Sequence, residues 1–409
     1  MVTAEFTMPA EPGDSAAAIR FNHSPNASAA NFPEIPVTLR TLIPTGPTGG
    51  NFTGTLTGGN ARPGAGPTQT FVFDVPSGVN DMSLNLEISD NGYLLEGLLV
   101  DPNGMELSVQ PNQDPINGSA QFALSLSRYN PQPGRWNFVL LQNFISSGNQ
   151  TSLPFAARIG FNTAQVTAPK LPNSAGVKLS ATGAPVIVPI HVTNTGALTR
   201  QYFADARLNT VTAQQLPPQH CGSGVTTLPG ACGAFILPTQ VSTAAFVAQS
   251  PVPITMDAFS NVGTGVGGTG APDIFAKRIA PGTVAALLSE PEVPYSTWLV
   301  SPSLIGPYGP GGAPTEPVAT AAFVLMQAFD STISADSGDA WADLTLSTNT
   351  FNPLVLTPGQ SGTINLTITP SKSEVGNTVS GFIYIDTFDF NVFTGDEAVR
   401  IPYSYTVTP

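Results

Sequence analysis

The search for a nucleophilic site in this 409-residue chain is bounded by its three histidines, His23, His191 and His220. A hydrolytic serine or cysteine needs an imidazole as base and an acid to orient it. His23 lies in the polar run FNHSPN, which reads as a loop. His191 closes an alternating strand, where an imidazole is usually a satisfied structural group. His220 sits in PPQHCG and reads as a turn residue. No Gly-x-Ser-x-Gly elbow occurs. Two converging carboxylates could hydrolyse a glycoside, but none of the 27 acids is marked out as a pair by its spacing. A Gly-x-Gly-x-x-Gly match at Gly263, Gly265 and Gly268 runs straight into TGAPD. A dinucleotide site needs a strand before such glycines and a helix after them, so this segment reads as a flexible loop.

Two further constellations could carry chemistry. Cys221 and Cys232 bracket the segment CGSGVTTLPGAC. The favoured reading is a disulfide, which belongs to an oxidising compartment and would contribute up to about 3 kcal/mol over so short a loop. Two unpaired thiols are the alternative, since a zinc site would need four ligands and only His220 lies nearby. Asp386, Asp389 and Asp396, with Glu397, crowd one hairpin, and Asp336, Asp339 and Asp343 crowd another segment. Hard carboxylate oxygens in turns suit calcium, although neither group has EF-hand spacing. Solvated turn acids are the competing reading. Trp136, Trp298 and Trp341 could stack on sugars or equally fill a core.

The elements that must position these residues are strands. Gly and Pro contribute 40 residues each, and in helix interiors they cost about 1 and 3 kcal/mol apiece. An apolar share of 41% is nevertheless enough to build cores. TFVFDVP places Phe71 and Phe73 on one face and Val72 and Asp74 on the other. DMSLNLEIS does the same with Met82, Leu84, Leu86 and Ile88. The intervening PSGVN predicts a hairpin between them. YLLEGLLVDPNG ends on a turn, and QFALSLSRY and RWNFVLLQNF flank NPQPG. VATAAFVLMQAFDST could be helix or strand, and the strands around it favour the second reading. It also resembles the earlier VSTAAFVAQ, at a period too long for a solenoid.

This pattern predicts an all-β protein of two or three β-sandwich domains, of jelly-roll or of immunoglobulin or fibronectin III type. Residues 1–34 read as a linker or edge strand and 35–167 as a first sandwich, with a boundary at TAPKLPNSA. Residues 168–409 read as a second, formed by 168–211 and 339–409 around an inserted β-rich domain, 212–338.

Charge narrows the function classes. A formal net charge of -13 has the wrong sign for a nucleic-acid partner. No apolar run approaches the roughly 18 residues of a membrane span. Charged residues supply only 10% of the chain, so solubility must rest on Ser, Thr, Asn and Gln, as in extracellular bacterial β proteins. The N-terminus, MVTAEFTMPAEPGDSAAAIRF, lacks the basic start and apolar stretch of a signal peptide. Either the chain is not exported or it is a piece of a longer one, and the cysteine pair favours the second reading.

Several motifs in combination carry a family likeness. FVFDVPSGVNDMSLNLEIS, then LLVDPNG, then PQPGRWNFVLL resembles the β-sandwich modules that follow the catalytic domain in secreted bacterial subtilisin-like serine proteases of the S8 family. LTPGQSGTINLTITPS through VSGFIYIDTF to GDEAVRIPYSYTV is similar to the extreme C-terminal segment of those proteases. The likeness covers most of the chain in scattered pieces. It departs from the family before the Asp-Pro-x-Gly turn, where Leu94, Leu95, Leu98 and Leu99 surround a lone Glu96. The protease triad motifs are missing: Asp336-Ser337-Gly338 matches the first by chance, and no histidine is followed by glycine.

The resemblance therefore implies a non-catalytic accessory region, extracellular or at the cell surface. Its partners would be a subtilisin-like catalytic domain in cis and protein or polysaccharide substrate. It would act without a certain cofactor, calcium being the one ion its turns could take. A free-standing adhesion or carbohydrate-binding protein is the rival expectation.

Overall fold

Apolar residues at every second position fold the chain into strands whose inward faces meet across facing sheets. The computed structural model describes residues 3–21, 34–57, 66–104, 106–113, 119–142, 152–215, 218–220, 227–229, 234–236, 241–250, 254–260, 274–277, 282–288, 297–304, 321–338, 352–389 and 394–409. No α-helix occurs among them; a short 3-10 turn at Lys372–Glu374 is the exception to strand and loop. The protein is all-β, with several sheets forming multiple sandwich-like units.

An N-terminal hairpin pairs β1 (Gly13–Arg20) with β2 (Glu34–Thr41). Eight strands follow: β3 (Gly49–Thr57), β4 (Thr68–Val75), β5 (Asp81–Ile88), β6 (Leu95–Val100), β7 (Glu106–Pro111), β8 (Ala123–Tyr129), β9 (Gly134–Gln142) and β10 (Ser152–Phe161). They form two four-stranded sheets, in the orders β3-β10-β5-β8 and β4-β9-β6-β7. Between them lies one core in which Trp136, Phe73, Phe138, Leu84, Leu95 and Leu126 are fully buried. Burying each such side chain is worth about 1.5–3 kcal/mol. Phe52, Phe71, Phe138 and Phe155 meet with ring centroids 5.2 to 6.4 Å apart.

The second set comprises β11 (Ala164–Thr167), β12 (Asn173–Ser180), β13 (Val186–Asn194), β14 (Arg200–Gln215), β15 (Pro218–His220), β16 (Thr227–Pro229), β17 (Ala234–Ile236), β18 (Val241–Ser250), β19 (Ile254–Ser260), β20 (Ile274–Lys277), β21 (Gly282–Leu288), β22 (Thr297–Leu304), β23 (Ala321–Phe329), β24 (Ile333–Ala335), β25 (Leu354–Leu356), β26 (Ser361–Ile368), β27 (Thr378–Asp389) and β28 (Thr394–Thr408). The sheet β11-β13-β26-β24 faces a larger one, β12-β28-β27-β14-β23-β18-β21, with β25 also paired to β14. Their core gathers Val188, Ile190, Val192, Tyr202, Ile364, Leu366, Ile383, Ile385 and Tyr405. The larger sheet extends through the long β14 into 212–338. There β18 and β23, which carry the similar runs AAFVAQ and AAFVLM, pair antiparallel with Ala245 opposite Leu325. A separate sheet, β17-β22-β19-β20, and the hairpin β15-β16 complete the described strands.

The predicted hairpin across PSGVN is not formed. β4 pairs with β9 and β5 with β10 and β8, so this turn carries the chain from one sheet to the facing one. The turn NPQPG does the same between β8 and β9. Packing strands face to face buries the same alternate side chains as pairing them edge to edge, and here the facing arrangement wins. The turn after LLVDPNG does close a hairpin, β6 with β7, with Gly104 N–H donating to Asp101 C=O at 3.0 Å.

Candidate functional site

The polar chemistry of the described residues is concentrated where the first sandwich meets the second. β10 ends at Phe161 and β11 begins at Ala164, so only Asn162 and Thr163 separate the two cores. Asn162 takes a left-handed backbone, φ 52, which Asn tolerates better than most residues. Both link residues are fixed from either side. The Asp81 carboxylate, at the start of β5, accepts Thr163 N–H at 2.9 and 3.0 Å and also the Thr163 hydroxyl. Asn162 Oδ1 accepts Asn80 N–H at 2.8 Å. From the second sandwich, Thr195 and Gly196 N–H groups donate to Thr163 C=O at 3.0 and 3.1 Å, and the Thr195 hydroxyl donates to Asn162 C=O at 2.6 Å. Burial raises the Asp81 carboxyl above its ordinary range, while bonds from Thr163 and Ala164 and the charge of Arg200 pull it back.

A cleft opens beside this link, lined by Thr48, Ser83, Asn85, Arg158, Gly160 and Arg200 among others. Its volume is about 380 Å³ with the open mouth included. Alternation on β10 directs Arg158 outward between the buried Ala157 and Ile159. Arg200, the first residue of β14, is 5% exposed.

A second polar cluster lies on the large sheet, on the face turned away from its core. Along β14, Asp205 and Arg207 are two residues apart and therefore share a face, while Ala204 and Ala206 point into the core. Register brings Tyr384 and Asp386 of β27 and Glu397 of β28 to the same face. Arg207 is fully buried and donates to Asp205 through Nε at 2.8 Å and Nη2 at 3.0 Å, and to Glu397 through Nη1 at 2.6 Å. Asp386 Oδ2 stands 3.5 Å from Nη2, and the Tyr384 ring lies 3.9 Å from the guanidinium carbon. Tyr384 in turn meets Tyr129 of β8 edge-on at 6.1 Å, so this cluster too sits against the first sandwich. Gly381 of β27 makes room for this approach: a side chain there would place Cβ 2.1 Å from Arg207 C=O.

Three carboxyls around one guanidinium carry an excess of negative charge. Desolvation above all, then the charge of Asp205, holds the Asp386 carboxyl well above the usual range, with Arg207 opposing and Glu397 adding to the rise. The folded state thus keeps a proton that the unfolded chain releases near pH 4. Stability from this site is full below that pH and is lost as pH rises through the folded value. Asp81, also raised, acts in the same direction. Asp386→Asn should therefore gain in melting temperature relative to the native chain as pH increases from 4 to 8. A constant difference across that range would show that Asp386 is ionised in the fold.

Of the residues singled out from the sequence, Asp386 is placed beside Arg207. In backbone register Thr387 opposes Asp396 and Asp389 opposes Thr394; the side chains of Asp389 and Asp396 lie outside the described residues. Among described residues no three His, Cys, Asp or Glu side chains converge to hold a metal. Cys221, Cys232, His23, Asp339, Asp343, Trp341 and the glycine run from Gly263 to Gly268 also lie outside them. His191 is exposed on β13, its Nδ1 3.1 Å from the Thr363 hydroxyl across the strand pair. Asp336 is exposed and accepts the N–H and side-chain amide of Asn365, both at 2.8 Å, which makes it a turn acid. Trp136 is core, its indole N–H donating to Gln132 C=O at 2.8 Å.

Sequence reasoning passed over Arg158, Arg200, Arg207 and Asp81. The available signal was the pair Asp205 and Arg207 on one face of an otherwise apolar strand, in a chain with only 10% charged residues.

The fold and these joints define an all-β protein of serial sandwiches with polar residues buried at the seams. No family model matches the chain, and no curated protein does. Solved structures align with it only loosely. A chain of broad bean stain virus is 9% identical over 90% of this chain and 94% of that one, at a TM-score of 0.22. One of cowpea mosaic virus is 8% identical over 78% and 88%, at 0.21. The tandem CBM22 domain of Paenibacillus barcinonensis Xyn10C is 12% identical over 88% and 94%, at 0.16. Likenesses this faint carry no argument about the chain. Among the described residues no helix is long and apolar enough to cross a membrane.

Proposed function

We propose that the chain is a non-catalytic accessory region of a secreted subtilisin-like serine protease. It works outside the cell as a rigid support that packs on the catalytic domain in cis and presents a surface to protein or cell-wall substrate. One observation carries this reading: a two-residue link, clamped by hydrogen bonds from both sandwiches, that holds them in one fixed geometry. Flexible tethers between modules are long and rich in Gly and Ser. This joint is short and buries Asp81 and Thr163 at 5% exposure each. Polar residues are committed to joining modules, which suits a scaffold that fixes where another domain stands. The motif likeness to post-catalytic protease modules supplies the identity of that domain.

The coding DNA upstream of Met1 tests the reading. An in-frame Gly-Thr-Ser-Met motif is expected there, and a stop codon with an independent promoter would overturn it in favour of a free-standing surface protein. The purified chain should also leave casein intact. Cleavage that persists with a serine-protease inhibitor and a chelator present would make the chain an enzyme in its own right.

A further inference from the structure

We propose that the cleft beside the inter-sandwich link is a carboxylate-binding site, in which the guanidinium groups of Arg158 and Arg200 take one carboxylate between them. Arg200 is 5% exposed, yet its side chain makes no hydrogen bond or ion pair with any described residue. Its nitrogens are not among the fully buried polar atoms left without a partner, so the guanidinium meets solvent in the cleft, beside Asp81, whose carboxyl feels its charge. Arg158, opposite Asn85 in the β10 to β5 register, lines the same cleft and is likewise without a partner among described residues. Two guanidinium groups line one cleft, and no acid among the described residues is hydrogen-bonded to either, which leaves a site for an anion from outside.

The surroundings select the anion. Asp81 influences Arg200 through its charge, but its own oxygens are engaged by Thr163. A carboxylate is small and offers two oxygens in one plane, enough to meet both guanidinium groups at once. The planar fork of a guanidinium pairs bidentately with a carboxylate. Ser83, Asn85 and Thr48 add short polar groups to the walls. Gly160 keeps the floor low, because a Cβ there would stand 3.0 Å from Ser83 Oγ and 3.1 Å from Thr163 Cγ2. Most of the cleft's roughly 380 Å³ is open mouth, and its enclosed part is far smaller than a pocket for a whole small-molecule ligand. It admits the end of a molecule: a free short-chain acid, or the acidic side chain of a protein. This inference does not depend on the protease reading.

Calorimetric titration of the full chain at constant ionic strength decides the matter, with sodium acetate as one probe and acetyl-Gly-Glu-Gly-amide as the other. Sodium chloride and the Gln peptide serve as controls. Saturable binding of acetate and the Glu peptide alike would support the site and show that a free acid suffices. Binding of the Glu peptide alone would support it with a protein carboxylate as the ligand. Arg158→Gln, at an exposed position that should not disturb folding, is expected to weaken binding by about tenfold or more, and Arg200→Lys likewise. If neither probe binds, or if Arg158→Gln binds both probes as the native chain does, the proposal is overturned.

Discussion

Arg207→Met should destabilise the second sandwich by about 3–5 kcal/mol, the usual cost of removing one partner from a buried ion pair. Arg207 donates to both Asp205 and Glu397, and all three are at most 4% exposed. Without the guanidinium, Asp205, Asp386 and Glu397 would be left as acids in a dry pocket. They would have to take up protons or draw in water, and either response subtracts from stability. Arg207→Lys should recover only part of the loss, since an ammonium cannot serve Asp205 through two nitrogens and Glu397 through a third. Urea unfolding measures both variants. A loss under about 1 kcal/mol for Arg207→Met would mean that the cluster behaves as a solvated surface network.

Asp81→Ala should cost about 2–4 kcal/mol, because hydrogen bonds to a charged group carry more than neutral ones and their buried donors would be stranded. Thr163 donates both its N–H and its hydroxyl to this carboxylate. The more telling consequence is loss of coupling. Each sandwich has its own core, so weakening the link should split a joint thermal transition into two in scanning calorimetry. Asp81→Asn, which keeps the shape and one acceptor, should fall between. If Asp81→Ala melts in one transition like the native chain, the link does not hold the sandwiches together, and the support reading loses its main argument.

Alternation in the sequence shows which side chains face inward. Met82, Leu84, Leu86 and Ile88 are all buried, as their spacing predicts. Alternation does not show which strand lies alongside. The turns PSGVN and NPQPG switch sheets, because a strand's apolar face is equally satisfied by a neighbour across the core. Val72, which shares with Asp74 the face opposite Phe71 and Phe73, is nonetheless 1% exposed, and its C=O accepts Ile43 N–H at 2.8 Å. Of VATAAFVLMQAFDST, the stretch Ala321–Phe329 is strand β23, because β14 and β18 offer it two ladders of hydrogen bonds.

The polar seams were less legible. Asp205 and Arg207 declare a shared face by their spacing, but Asp386 and Glu397 reach them only through the register of three strands. Arg200 and Arg158 belong to different sandwiches, and nothing local in either strand announces that they share a cleft.

The last strand has a mechanical meaning. β12 and β28 run parallel, with Lys178, Leu179 and Ser180 opposite Thr406, Val407 and Thr408. The Ser180 hydroxyl donates to Pro409 C=O at 2.8 Å, and the Thr406 hydroxyl to Ala175 C=O at 2.7 Å. Tension applied between the inter-sandwich link and the C-terminus pulls these two strands in opposite directions along their length. The bonds between them are then sheared together, whereas an antiparallel hairpin pulled from its open end would unzip one rung at a time. Bonds sheared together give way only together, so the parallel pairing of β12 with β28 opposes such tension more strongly than a hairpin would.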